Sequence, residues 1–291
     1  RILPSFAKDA QFVSMFLTEA KLVARLSHPN IVQIHELHER DGQYFIVMEY
    51  VEGHNLATML NASRSAKQKV PIEVALRVLA DVCAALEAAH TACDDADRPL
   101  GIVHRDVSPH NVLIGSDGVV KLSDFGIARV SGVPRQGEST QPGVLKGKLA
   151  YLSQEALIGE PDLRTDVWAA GIVLFQLLAG YHPLSRSTDY QTYQAILNDP
   201  VPAAGVGRTD VPPELEAIVA MATARDAAQR YASAGEMQAA LEKVISLLGR
   251  PVTGRQVAEW LERLEPELER GGPAESTEAA TALARGPTET Q

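Results

Sequence analysis

Two short runs of this 291-residue chain bring together side chains that can do proton-transfer and metal chemistry. His104-Arg105-Asp106-Val107-Ser108-Pro109-His110-Asn111 is followed, thirteen residues after Asn111, by Asp124-Phe125-Gly126. Asp106 offers a carboxylate that can accept a proton. Asn111 and Asp124 offer hard oxygen donors that suit a hard divalent cation. Each tripeptide alone is a weak signal; their order, their spacing and the strands between them make chance a poor account.

The elements that must position these residues follow from periodicity. Residues 9–26 read as a helix with Phe12, Phe16, Val23 and Leu26 on one stripe and Glu19 within it. Residues 31–37 and 44–49 read as strands joined by a polar turn at 38–42. A long helix is expected from Pro71 to about Ala92, with Val74, Val78, Val82, Leu86 and Ala89 on one side and Pro at or near its first turn. Short strands at 112–114 and 119–122 flank a Ser116-Asp117-Gly118 turn. Beyond residue 155 the pattern is almost wholly helical. The apolar run from Val167 to Tyr181, interrupted by Gln176, reads as a buried core helix and is short for a bilayer. Val257, Trp260, Leu261 and Leu264 have helical spacing, so residues 249–270 form a helical extension that either docks on the preceding domain or binds a partner. Residues 271–291 read as a flexible tail. Few strands first and mostly helices later suggests two lobes with separate cores.

Composition removes several function classes. The chain is 45% apolar and 22% charged, which is globular composition. A net charge of −10 argues against a general nucleic-acid binder and against a polybasic membrane-surface protein. Cys83 and Cys93 fit neither a disulfide framework nor a zinc site, so a reducing cytoplasm is the expected setting. The Asp-rich stretch 93–100 lacks the Gly and distal Glu of a calcium loop. Gly143-Val-Leu-Lys-Gly147-Lys148 has the wrong spacing for a Walker A loop, and Leu149 follows where Ser or Thr is needed.

The His104–Asn111 and Asp124–Gly126 runs resemble the catalytic loop and the metal-binding segment of protein kinases. Flanking segments add to the resemblance. Tyr44-Phe-Ile-Val-Met48-Glu49-Tyr50-Val51 looks like the strand and hinge that clasp adenine. Asp166-Val-Trp168 opens the apolar helix, and Ser153-Gln154-Glu155 stands where A/S-P-E is usual, with Gln154 replacing Pro. Over about residues 1–248 the chain is similar to bacterial eukaryotic-like Ser/Thr kinases. The resemblance implies an α+β, bilobal kinase-like fold with an incomplete N-lobe sheet and a mostly helical C-lobe. Residues 1–50 would form the remaining N-lobe and 51–248 the C-lobe.

It also implies roles. Asp106 would be the catalytic base, with Arg105 beside it as the site controlled by a phosphate on Ser131, Ser139 or Thr140. Asn111 and Asp124 would hold Mg2+, and ATP would be the phosphoryl donor. Backbone groups of Glu49 and Val51 would hold adenine, Met48 would line the pocket and Leu113 its floor. Asp166 would hold the catalytic-loop backbone, Glu155 would pair with Arg230, and Glu19 would be the acidic partner of a nucleotide-binding lysine. Protein Ser/Thr hydroxyls are the expected acceptors, because the Arg and Pro typical of the tyrosine-specific branch are missing.

Two departures stand out. No Gly-rich loop and no V-A-I-K strand is matched. The family's lysine lies about nineteen residues before the αC-type glutamate, and counting back from Glu19 reaches the position just before Arg1. The sequence is therefore expected to start just after that lysine. A pseudokinase-like binding module is the alternative reading. Second, Ser108 stands where these kinases carry a lysine, and Lys148 where they carry a threonine, as if one cation had moved between contacting positions.

Overall fold

A computed structural model of the chain describes residues 10–40, 43–125, 149–159, 161–206 and 208–270. Helix α1 (Ala10–Val23) is followed by strands β1 (Ile34–Arg40) and β2 (Gln43–Met48), which pair antiparallel. The strand β1 runs through His38–Arg40, where a turn was expected. These polar residues face solvent on a two-stranded ribbon, so their polarity carries no turn signal.

Next come β3 (Gly53–Asn55), α2 (Leu56–Ser65), α3 (Ile72–His90), β4 (Val112–Gly115) and β5 (Val120–Leu122). Strands β3, β4 and β5 form an antiparallel sheet in that order. Asn55 caps α2 by accepting from Thr58 N–H at 2.8 Å, and Pro71 stands at the N-cap of α3.

The helical part holds α4 (Gln154–Ile158), α5 (Arg164–Ala179), α6 (Asp189–Asn198), α7 (Pro213–Ala222), α8 (Ala234–Leu247) and α9 (Gly254–Arg270). The predicted core helix is α5: every residue from Thr165 to Leu178 is buried, as an all-round apolar pattern requires. At Gly171 α5 approaches the end of α7 closely; a Cβ there would lie 2.8 Å from both Ala222 Cβ and Thr223 Cγ2. On α3 the expected stripe of Val74, Val78, Val82, Leu86 and Ala89 is almost wholly solvent-free. It packs against α5, α8 and α9.

The expected separation into two cores is not what forms. Buried apolar residues make one continuous cluster from Val23 and Ile34 to Leu268. The seam is stitched by backbone: Val32 N–H donates to Leu122 O at 3.0 Å, and Leu122 N–H donates to Asn30 O at 2.8 Å. Sequence periodicity carries no trace of such a bridge. Among the described residues no helix is long and apolar enough to cross a membrane.

Candidate active site

The 104–111 segment connects the end of α3 to β4, and one buried carboxylate fixes its entry. Asp166, in the first turn of α5, is fully buried. Its Oδ2 accepts from His104 N–H at 2.8 Å, and its Oδ1 accepts from Arg105 N–H at 2.8 Å. Oδ2 also accepts from His90 Nε2 at 2.9 Å. Asp166 thus grips the loop as expected.

His90 is a participant the sequence reading missed. Its signal was present, because it continues the i, i+4 stripe Val82–Leu86 as a polar residue on a buried face. The grip matters because Arg105 sits in the left-handed region at φ +61°, a conformation that costs a non-glycine residue about 1–3 kcal/mol unless its surroundings impose it.

His104 is wholly buried and acts as a spacer between loop and sheet. Asp106 N–H donates to its Nδ1 at 3.2 Å, so Nε2 carries the proton and donates to Ser123 O at 2.9 Å. Burial pushes its pKa down, against the pull of Asp166, and keeps the ring neutral. Its ring also lies 4.5 Å from that of Phe125, tying the loop to the segment that carries Asp124.

Asp106 and Asn111 are joined directly. Asn111 Nδ2 donates to Asp106 O at 2.7 Å and to Asp106 Oδ2 at 3.0 Å. This leaves Asn111 Oδ1 without a hydrogen bond among the described residues. Ser123 N–H donates to Asn111 O at 2.8 Å, so Asp124 follows immediately from an anchored residue. Asp124 is exposed at φ +56°, and its carboxylate pairs with no described residue. An amide oxygen and a carboxylate left open in this way suit a hard cation such as Mg2+.

At the hinge, Glu49 N–H donates to Gln33 O at 2.8 Å. No described residue bonds Glu49 C=O or Val51 N–H, the groups expected to meet adenine. The Glu49 side chain is engaged elsewhere: Lys121 Nζ lies 2.9 Å from Oε1, and Gln33 N–H donates to Oε2 at 3.2 Å. Burial works to raise its pKa, but the Lys121 ammonium and the Gln33 N–H outweigh it and hold the group below the usual carboxylate range. Lys121 and Gln33 were not foreseen. Met48 is 40% exposed, and Leu113 is half-buried on β4.

Glu155 and Arg230 form the expected pair, bidentate at 2.5 and 3.0 Å. The guanidinium also donates to Ala224 O, Arg164 O and Arg225 O and lies over the Trp168 ring at 4.9 Å. Burial works to raise the Glu155 pKa, and hydrogen bonds from Arg230 and Ser153, with the Arg230 charge behind them, hold it below the usual carboxylate range. Ser108 is buried, and its Oγ has no hydrogen-bond partner among the described residues. Glu19 lies on α1 with its side chain outside the described residues, as do Ser131, Ser139, Thr140, Lys148 and the 271–291 tail.

Comparison with known proteins agrees with this geometry. The chain is 40% identical over 247 residues to the tyrosine-protein kinase MasK of Myxococcus xanthus, covering 84% of this chain and 38% of that one. It is 38% identical over 248 residues to the serine/threonine-protein kinase PknL of Mycobacterium tuberculosis, covering 84% and 58%. The chain thus spans well under two thirds of these relatives' length. The crystal structure of the Mycobacterium tuberculosis PknI kinase domain superposes with a TM-score of 0.61 at 29% identity, covering 83% of this chain and 82% of that one. The protein kinase domain profile matches residues 4–243, and the chain belongs to the protein kinase family.

Proposed function

We propose that the chain is the catalytic domain of an ATP-dependent serine/threonine protein kinase with cytoplasmic protein substrates. The observation that carries this reading is the joined pair Asp106–Asn111, with Asn111 Oδ1 and the Asp124 carboxylate left open beside it. Asp106 accepts the proton of a Ser or Thr hydroxyl. The freed oxygen attacks the γ-phosphorus of ATP, the bond from that phosphorus to the β,γ-bridging oxygen breaks, and ADP leaves with the bridging electron pair. Asp106 then passes its proton to solvent. Asn111 Oδ1 and Asp124 would hold Mg2+, which would supply neutralisation of phosphate charge. Backbone groups of Glu49 and Val51 take the adenine edge, with Met48 lining the back of the pocket and Leu113 its floor.

Arg105 is the charge that a phosphate on Ser131, Ser139 or Thr140 would neutralise. Lys148 supplies the cation that Ser108 cannot. Glu19 is the acidic partner of a nucleotide-binding lysine. Residues 1–50 serve as N-lobe and 51–248 as C-lobe. Serine and threonine are preferred as acceptors on the make-up of the catalytic loop, although one relative carries the name of a tyrosine kinase.

The second reading is a pseudokinase-like binding module without turnover.

The test measures Mg2+-ATP turnover and phosphoamino-acid products. It uses the chain alone and the chain joined at Arg1 to a Gly-rich loop and lysine strand taken from a relative. In the chimera Asp106→Asn should lower the rate by about 10²–10⁴ with nucleotide affinity kept. Asp124→Asn should raise the Mg2+ requirement. A chimera that binds Mg2+-ATP without turnover selects the binding module, and a silent Asp106→Asn refutes the catalytic assignment.

A further inference from the structure

The helix α9 lies beyond residue 243, where the kinase-domain match ends, and no step above uses it. It is strongly two-sided. Val257, Trp260, Leu261, Leu264 and Leu268 are buried, while Arg255–Glu259 and Arg270–Glu267 pairs line the outer face. The buried face packs on α2 and α3. Trp260 is 1% exposed, and its indole N–H has no hydrogen-bond partner among the described residues, so apolar burial holds the ring there. The expected choice between docking and partner binding is settled as docking on this chain.

Where α9 docks gives it a further role. Its first residue interlocks with the turn between β4 and β5. A Cβ on Gly118, at φ +80°, would lie 1.8 Å from Gly254 O, and a Cβ on Gly254 would lie 3.0 Å from Gly118 O. Two backbones therefore touch with no side chain between them.

That turn is wired to the hinge. Ser116 N–H donates to Glu52 O at 2.8 Å, and Gly53 pairs with Gly115. Glu52 directly follows Val51. The other docking partner, α2, starts straight after β3, and its Ala57 N–H donates to Pro109 O at 3.0 Å inside the catalytic loop. One helix thus presses on both supports of the nucleotide platform: the turn that ends β4, and α2.

We propose that α9 is a positioning element for the nucleotide, with Gly254 and Trp260 its principal residues, which touches no nucleotide yet sets affinity by holding the β3–β4 platform under the hinge. The proposal rests on the adenine-site reading given above. If α9 only added stability, weakening it would lower the melting temperature and leave the hinge and the affinity of the folded protein unchanged.

The test uses the full chain with Gly254→Val, which adds bulk at the backbone contact. Val257→Ala, which removes two methyl groups from the same face, serves should the first variant fail to fold. Leu241→Ala, buried on α8, is the control for an equal loss of melting temperature. Amide hydrogen exchange is measured without nucleotide, and the Kd for Mg2+-ADP by calorimetry.

Faster exchange at Ser116 and Ala57 is expected, with a Kd raised about two- to thirtyfold, the usual span for coupling through packed networks. Gly254→Ala should fall between Gly254→Val and the parent, and the control should change neither readout. Exchange gains confined to 254–270, or a Kd no different from the control, would overturn the proposal. A parent chain that fails to bind Mg2+-ADP refutes the adenine-site reading instead; exchange at Ser116 and Ala57 then decides by itself whether α9 braces the platform.

Discussion

Asp166→Asn tests the arrangement that holds the catalytic loop. In the parent both carboxylate oxygens act only as acceptors, for His104 N–H, Arg105 N–H and His90 Nε2–H, all at 2.8–2.9 Å. Asparagine is isosteric but keeps a single acceptor oxygen. If that oxygen faces Arg105, the new NH2 group confronts His104 N–H and His90. The imidazole can answer by moving its proton to Nδ1, which is buried with no hydrogen-bond partner among the described residues. The amide of His104 has no such escape.

If the oxygen faces His104 instead, Arg105 N–H is stranded and nothing imposes its φ of +61°. Either way one charge-assisted bond becomes neutral and one buried N–H loses its acceptor. At about 1.5–3 kcal/mol for the first and about 1–3 for the second, with partial relaxation, a loss of about 3–5 kcal/mol follows. The assay is urea unfolding followed by circular dichroism, with hydrogen exchange at 104–106 as the local readout. The midpoint should fall while the slope is kept, and Arg105 and Asp106 amides should exchange faster. His90→Leu should be strongly non-additive with it, because both changes damage one network. An unchanged midpoint for Asp166→Asn would refute the argument that this carboxylate imposes the loop conformation.

Glu155→Ala leaves the Arg230 guanidinium, whose side chain is 0% exposed, without its counter-charge, and urea unfolding should show a loss of about 3–5 kcal/mol. Replacing both residues by leucine should cost less than the single change. In a chain that turns over ATP, Lys148→Thr should slow turnover about ten- to hundredfold, the worth of one charge-assisted hydrogen bond, and Ser108→Lys, which would place two ammonium groups together, should also impair it. The double change should recover much of the rate; strictly additive losses would make Lys148 an ordinary surface lysine.

His182 Nδ1 accepts from Leu184 and Ser185 N–H at 3.1 and 3.0 Å, and burial, with Arg186 nearby, lowers its pKa from the usual 6.5 to about 4. The unfolded chain then binds the extra proton first. His182 therefore contributes stability in full above about 6.5, and this is lost as pH falls toward 4. His182→Asn, which keeps an acceptor, should flatten that part of the urea midpoint–pH curve; a parallel curve would show that another group titrates.

What the sequence reveals of the site divides by the kind of constraint involved. Asp106, Asn111 and Asp124 are legible because two runs that resemble kinase segments stand in the right order, at a spacing that one short strand pair fills. Asp166 and the Glu155–Arg230 pair are legible through the resemblance alone, since nothing local to Arg230 points to a partner 75 positions away. His90 was hidden among apolar neighbours, although its place on the α3 stripe marked it as buried and therefore in need of a partner.

The three-residue strand β3 has no periodicity to detect, and it exists because β4 offers it an edge. The single core follows from backbone bonds between 30–32 and Leu122, which any side chains at those positions could make. The hinge shows the limit most clearly. Glu49 was singled out for its backbone, which any residue supplies, while its own carboxylate is tied to Lys121 on β5. That ion pair links residue 49 to the sheet of β3, β4 and β5, so a side chain that the proposed adenine contact does not require ties the 49–51 segment to that sheet. Side-chain identity at Glu49 therefore reports on the packing of the segment and not on the ligand proposed for its backbone.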